Sequence, residues 1–438
     1  MSVSTDAMYN SKSRYLLQLF KIHFSSSKIL EITNSKHLMS FSILEETYKH
    51  SDSPFGDVTS NELSLTLFND KGIFNPANTS SEYYGLIRKG VKIEAFIKPD
   101  EVTEWDQIGT YYVTDWYTST SGATAEVTAN DALHNVLNGP VPAFPVYRNI
   151  KFKDFMQLYF SYFNLSVDVD DSIDYTIPYV YTSEHSSNKD FITELMKSAL
   201  ADCFCDHAGV VNIVSKIRSR EVRATLTDAD QIINVTVKQS ITTNYDSAVV
   251  PCNNSQESPE QTLVELNAMQ LSPGLNSTGK LTLSSHPALS IRSLKVTSPE
   301  NTDIASFNAS AKEFTCSIRS TSNTQADLVV VGTLLDTIVS TVGDEGEVPL
   351  KVESRFIQEE KRAELIRNFA QKYVDANMPT LELIVRGNPT IQLGDIIEVS
   401  SEYYKIHYFG MVIKATYEGM GNLSCALTLI NAADIREV

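Results

Sequence analysis

FIQEEKRAELIRNFAQKYVDANMPTLELIVRGNPTIQLGDIIEV, residues 356–399, is the stretch on whose reading the fold turns. Phe356, Ala363, Ile366, Phe369, Ala370 and Tyr373 recur at helical spacing, while Glu359, Glu360, Lys361, Arg362, Glu364 and Arg367 fall on the other side. That pattern predicts an amphipathic helix over 356–374 with one apolar stripe. A strand over Thr380–Val385 follows, then a Gly387-Asn388-Pro389 turn, then Leu393-Gly394-Asp395 leading into a second strand that ends at Val399. The unit holds no catalytic motif. Its chemistry is that of a building block.

Outward from this stretch, the chain reads mainly as β. At 438 residues it exceeds one compact core, so several domains are expected. Apolar residues make up 42%, which excludes disorder for most of the chain. Between residues 28 and 130, Met39–Leu44, Leu63–Leu67 and Val91–Ile97 alternate apolar and polar, as half-buried strands do. Gly109–Trp116 and Ala125–Thr128 continue the series, and Asn69-Asp70-Lys71-Gly72 and Lys98-Pro99-Asp100 punctuate it. Such spacing predicts a barrel or sandwich. Ahead of it, over 1–27, Tyr15, Leu16, Leu19, Phe20 and His23 predict a short helix or an arm.

The period changes over 131–224. Asp131 caps a predicted helix through Leu137; Phe152, Phe155, Met156, Tyr159, Phe160 and Phe163 mark a second, and Phe191 to Leu200 a third, capped by Ser187 or Asn188. Cys203–Val214 reads as a hairpin turning at His207-Ala208-Gly209. This is a small α/β unit. β character returns over 225–438, with a polar, Ser/Asn/Gln-rich stretch between Cys252 and Asn276 expected as an extended loop. The fold class is therefore mainly β with an α+β insert.

Several short motifs occur in a fixed order: Asn61–Leu67, Asn69–Pro76, Tyr83–Gly90, Gly109–Val113, Val141–Phe144, Gly387–Pro389 and Leu393–Val399. In that order they resemble the tail-associated hub proteins of phages and prophages of Gram-positive bacteria. The resemblance covers residues ~29 to 430. It implies two tube-like β domains flanking the α/β unit, and a homotrimeric ring in which three chains supply six such domains. Such a ring closes the distal end of the tail tube, adapts a six-fold tube to a three-fold tip and lines the DNA channel. It implies as partners the chain itself, a tail tube or distal tail protein, a tape measure protein, and a tip, spike or fibre protein. DNA passes only transiently, and the place is the virion's distal tail or baseplate after synthesis in the host cytoplasm. The chain stops at Val438 directly after its last expected strand, so wall degradation and receptor binding are expected on other chains.

The remaining features bound the chemistry. Thirty-six Lys and Arg against 54 Asp and Glu give a net charge of −18, which lacks the basic footprint of a nucleic-acid-binding surface. An acidic channel wall, by contrast, repels phosphates and lets DNA slide. The five cysteines are odd in number and sparse, unlike a disulfide framework, and fit a reducing place of synthesis. No apolar run approaches the ~18 residues of a membrane span, and no signal-peptide pattern opens the chain. There is no HExxH, GxSxG, P-loop or GxGxxG, so no catalytic residue and no cofactor is expected.

Cys203, Cys205 and His207 share one strand face, with His185 a conceivable fourth ligand, but zinc sites bring two separated pairs and only one is present; small cysteines in a hairpin core are expected, and no metal. Asp168, Asp170, Asp171 and Asp174 crowd one loop rather than flank a cleft, and lack the glycine and closing glutamate of a calcium loop. Trp105, Tyr112, Trp116 and Tyr117 are the interface candidates, with alternation placing Tyr112, Thr114 and Trp116 on one face and Tyr111, Val113 and Asp115 on the other. The same aromatics also fit domain core or a sugar-binding platform. The alternatives to a ring protein are thus a glycan-binding tail module and a peptidoglycan-degrading enzyme.

Overall fold

A computed structural model describes residues 9, 14–47, 55, 58–119, 122–142, 144–182, 187–217, 221–228, 232–238, 245–283, 286–376, 380–419 and 423–432. The protein is mainly β, 55% strand and 13% helix. Its centre is one 13-stranded sheet drawn from both ends of the chain. The N-terminal part contributes Leu16–His23, Ile29–Thr33, Leu38–Glu46, Glu62–Phe68, Lys92–Pro99, Asp106–Thr118 and Thr124–Asn130; the C-terminal part contributes Val222–Thr227, Ile232–Lys238, Thr380–Arg386, Ile396–Ser401, Ile406–Gly419 and Leu423–Asn431.

The two parts meet at a seam. Ile406–Gly419 pairs through its first half with Ile396–Ser401, then exchanges that partner for Leu38–Glu46, with Lys414–Gly419 opposite Phe41–Glu46 in antiparallel register. A bulge between Val412 and Lys414, in the ladder to Leu423–Asn431, lies where the strand changes partner. Thr47 extends the seam by donating its amide to Ile413 at 2.9 Å. Behind the seam lies a single apolar core. Phe41, Ile43, Leu63 and Leu65 share it with Leu383, Val399, Tyr417 and Leu427 because each strand sends alternate residues to the same side.

Residues 132–217 form the α/β unit, with helices α1 (Ala132–Leu137), α2 (Phe152–Ser161) and α3 (Asn188–Ala199). Asp131 and Ser187 cap the first and third, each accepting a backbone N–H. Phe144, Phe155, Tyr159 and Phe191 pack ring to ring at 5.1–6.4 Å in its core. The hairpin Ala201–Cys205 and Val211–Ser215 gains Val167–Val169 as a parallel third strand.

Three expectations need correction. Leu16–His23 is a strand, not a helix: its helical spacing is incidental, and pairing with Lys92–Pro99 along eight residues draws it into the sheet. The stretch 252–276 is no loop: Ser247–Glu257 and Gln261–Leu271 are strands held by the 19-residue strand Thr324–Val342. Only Asn253–Glu257, opposite Leu335–Val339, is two-stranded with no buried face to read; Gln261–Leu271 buries Leu263, Val264 and Leu271, too few and too irregularly spaced to show an alternation. Finally, 225–438 is not one barrel. Helix α4 (Glu360–Ala376) sets Ala363, Ile366, Phe369 and Ala370 against Ala248, Val250 and Cys252, apart from the sheet core. Beyond the ribbon, 261–334 wraps a further small core around Phe314, Ile318, Leu328 and Val330. The central sheet also takes in Val222–Thr227, a strand that crosses the 224/225 boundary read from the sequence.

Gly419 has no room for a side chain: a Cβ there would stand 2.0 Å from the Phe41 ring. Gly419→Val is expected to lower stability by about 2 kcal/mol or more, the cost of overpacking a filled site, measured as the midpoint of urea unfolding. Gly122→Ala, whose Cβ meets nothing within 4 Å, serves as the comparison and loses only the cost of its positive φ.

Candidate functional site

The face of the sheet turned away from the core is rich in polar residues near the seam. Glu62, Ser64 and Thr66 alternate with buried Leu63, Leu65 and Leu67; Ser40 and Ser42 do so around Phe41; Ser424 and Thr428 alternate with Cys425 and Leu427. Register aligns these residues into rows that run through the seam. One row reads Arg386, Ser424, Glu418, Ser42, Ser64, Thr128, Asp115, one residue from each of seven neighbouring strands. A parallel row reads Ile384, Ala426, Thr416, Leu44, Glu62, Asn130, Tyr112, Lys92. Short hydroxyl side chains dominate near the seam. Charges beside them are paired, Lys414 with Glu46 at 3.3 Å and Lys238 with Glu382 at 2.5 Å. A cavity of about 710 Å³ opens on this face at the seam.

The seam is held from the other side by buried polar contacts. Glu45 projects into the core, and its Oε1 lies 2.9 Å from Nε2 of His207, which comes from the turn of the α/β hairpin. Both side chains are almost wholly enclosed. Burial works against a charged His207 ring, yet Glu45, with Asp206 and Asp395, outweighs it and holds the imidazole above its ordinary value. Asn61 ties the same region to the insert, donating from Nδ2 to the carbonyl of Cys205 at 3.1 Å while its amide bonds Asp131 at 2.8 Å. Burial lifts the Asp131 carboxyl to about 7 against three backbone hydrogen bonds that favour the anion. Tyr417 donates to the carbonyl of Ile391 at 2.6 Å.

The four aromatic candidates are not assembled into one surface. A bulge between Val113 and Asp115 inverts the alternation. Trp116 therefore packs on the same core as Tyr111 and Val113, between Phe24 and Phe74, and donates Nε1–H to the carbonyl of Phe74 at 3.1 Å. Tyr112 is half-buried against the α/β core. Tyr117 is exposed and hydrogen-bonded to Glu126. Trp105 lies under Lys98, whose Nζ is 5.3 Å from the ring centre.

Cys203 and Cys205 are buried in the α/β core, and burial pushes both thiols well up, away from the thiolate a metal or a nucleophile needs. His207 is engaged by Glu45, and His185 lies outside the described residues. Among the described residues no three of His, Cys, Asp and Glu gather as metal ligands. Asp170 accepts from Ser172 at 2.9 Å, and Asp171 pairs with Lys153, so these acids close their own loop. Among the described residues no helix is long and apolar enough to cross a membrane.

The whole architecture has known counterparts. The 43 kDa tail protein of prophage MuSo2 from Shewanella oneidensis superposes with a TM-score of 0.56 at 11% identity, over 96% of this chain and 99% of that one. A tail protein from Neisseria meningitidis MC58 does so with a TM-score of 0.56 at 9% identity, over 96% of this chain and 98% of that one. This chain has the fold of solved tail proteins. At such identities the likeness is one of fold. No family model and no curated protein matches the sequence. The seam and the polar rows escape sequence reading, because each strand shows only its own alternation and nothing local pairs residue 42 with residue 418.

The raised His207 gives a pH prediction. Its charged form favours the folded state, so that stability is complete below the ordinary histidine value of 6.5 and is lost as pH rises through the higher folded value. His207→Gln is expected to flatten the fall of the urea midpoint above about pH 6.5. An unchanged slope would show that another group carries it. Glu45→Ala, which strands the buried imidazole, should cost about 3 kcal/mol.

Proposed function

We propose that the protein is a structural hub of a phage-type tail or baseplate, three copies forming a ring at the distal end of the tail tube. The observation that carries this reading is the seam. Two β parts of one chain join edge to edge into a single wall with one polar, hydroxyl-rich face. Three such chains supply six parts, which suits a junction between a six-fold tube and a three-fold tip. The polar face is then the channel wall. Apart from Arg386, the hydroxyls and paired charges of this face offer DNA no basic footprint, so DNA slides past most of it rather than binds. The tail-protein fold supports the reading, and so does the order of short motifs along the sequence.

The sheet also ends in a way that calls for neighbours. Among the described residues Ile232–Lys238 pairs on one side only, as does Ile29–Thr33 at the far end. Unprotected edges of this kind are joined or covered in working proteins. Ile233 and Val237 stand 57% and 52% exposed on the first edge, and Ile29 49% on the other. Partners of the ring are a tube or distal tail protein on one side, a tape measure segment within, and a tip, spike or fibre protein on the other. In this reading the role is structural and not catalytic. A glycan platform fits less well, because Trp116 and Tyr112 are spent on internal cores.

Light scattering of the purified chain is expected to give the mass of three 48.7 kDa chains. Ile233→Asp with Val237→Asp, both on exposed side chains, should yield a folded monomer. A wild-type monomer at every concentration, or a double variant that stays trimeric, would contradict the proposal.

A further inference from the structure

The cavity at the seam is built unlike the rest of the polar face. Its walls carry Ser40, Ser42, Ser64, Thr66 and Ser424, and Arg14 and Arg386 also line it. Arg14 donates Nη2–H to the carbonyl of Leu423 at 3.0 Å, while its Nη1 is buried and has no hydrogen-bond partner. Burial, and then repulsion from Arg386, bring the Arg14 guanidinium down to about 10. A buried donor left unbonded is unfavourable, and the charge of Arg386 adds repulsion at Arg14. An anion in the cavity beside Arg14 relieves both.

We propose that the seam cavity is a binding site for a phosphate-class oxyanion, held by Arg14 and Arg386 and surrounded by serine and threonine hydroxyls. Guanidinium groups match a tetrahedral oxyanion through paired N–H donors. Hydroxyls supply further donors without adding charge. The cavity's volume of about 710 Å³ admits an inorganic phosphate with its water, or one phosphodiester of a longer strand. Glu418 stands on the same wall with its side chain exposed, and its charge tempers the site. The inference does not depend on the tail reading, since the cavity lies within one chain.

Isothermal titration of the full chain with inorganic phosphate, at constant ionic strength set with chloride, tests it. One phosphate per chain is expected. Arg14→Gln and Arg386→Gln should each weaken it about tenfold or more. Glu418→Gln, an exposed change that leaves folding intact, should tighten it. Arg14→Lys keeps the charge but loses the fork and should fall between Arg14→Gln and wild type. Competition by a single-stranded oligodeoxynucleotide then separates the two sources: displacement of phosphate assigns a phosphodiester, and no displacement assigns the free ion. No heat from the wild type up to about 10 mM phosphate, or affinity unchanged in Glu418→Gln and in both glutamine variants of the arginines, overturns the proposal.

Discussion

Six backbone pairings between Phe41–Glu46 and Lys414–Gly419 hold the rest of the structure in place. Without them the chain would present two smaller sheets with two separate cores. With them it presents one wall and one core. The constraint is demanding because the paired segments lie more than 360 residues apart in sequence. Loop closure over that distance must come before any contact rewards it, so the seam is expected to form late in folding. The side chains nearby answer that demand. Gly419 yields its space to the Phe41 ring, Lys414 reaches Glu46, and Glu45 turns inward to His207.

Those contacts also bind the α/β unit to the junction. His207 and Asn61 bring the hairpin and the helix cap at Asp131 against the reverse side of the seam, so three parts of the chain brace one another there. The ribbon of Ser247–Glu257 and Thr324–Val342 leads to the small core around Phe314, separate from the sheet core, and helix α4 packs on its base. A braced wall with a separate module suits the proposed ring, with rigidity where six parts must match.

What sequence reading reaches here is set by range. Alternation over Leu63–Leu67 and helical spacing over Phe152–Phe160 are local, and both elements form where those patterns predict. The capping residues Asp131 and Ser187 act within their own turns and were equally legible. Leu16–His23 deceived because its neighbours on a helix face are also buried when the strand lies between two others. Residues 252–271 deceived because their few buried residues, Leu263, Val264 and Leu271 among them, do not alternate and are outnumbered by polar ones. Among the aromatics, one inserted residue at the Asp115 bulge reversed the faces, which no period-two reading anticipates. The polar rows and the Arg14–Arg386 cavity exist only through pairing across the seam, so no single segment announces them.

The seam itself admits a direct test. Ser42 and Glu418 are opposite one another in its register, and all five native cysteines are buried. A chain carrying Ser42→Cys and Glu418→Cys should close a disulfide under mild oxidation, since partners across an antiparallel pair lie within bridging distance. The account predicts a cross-link within one chain, seen as a compact species on a denaturing gel that reverts on reduction. Free thiols that persist under oxidation, or bridges formed only between chains, would contradict it.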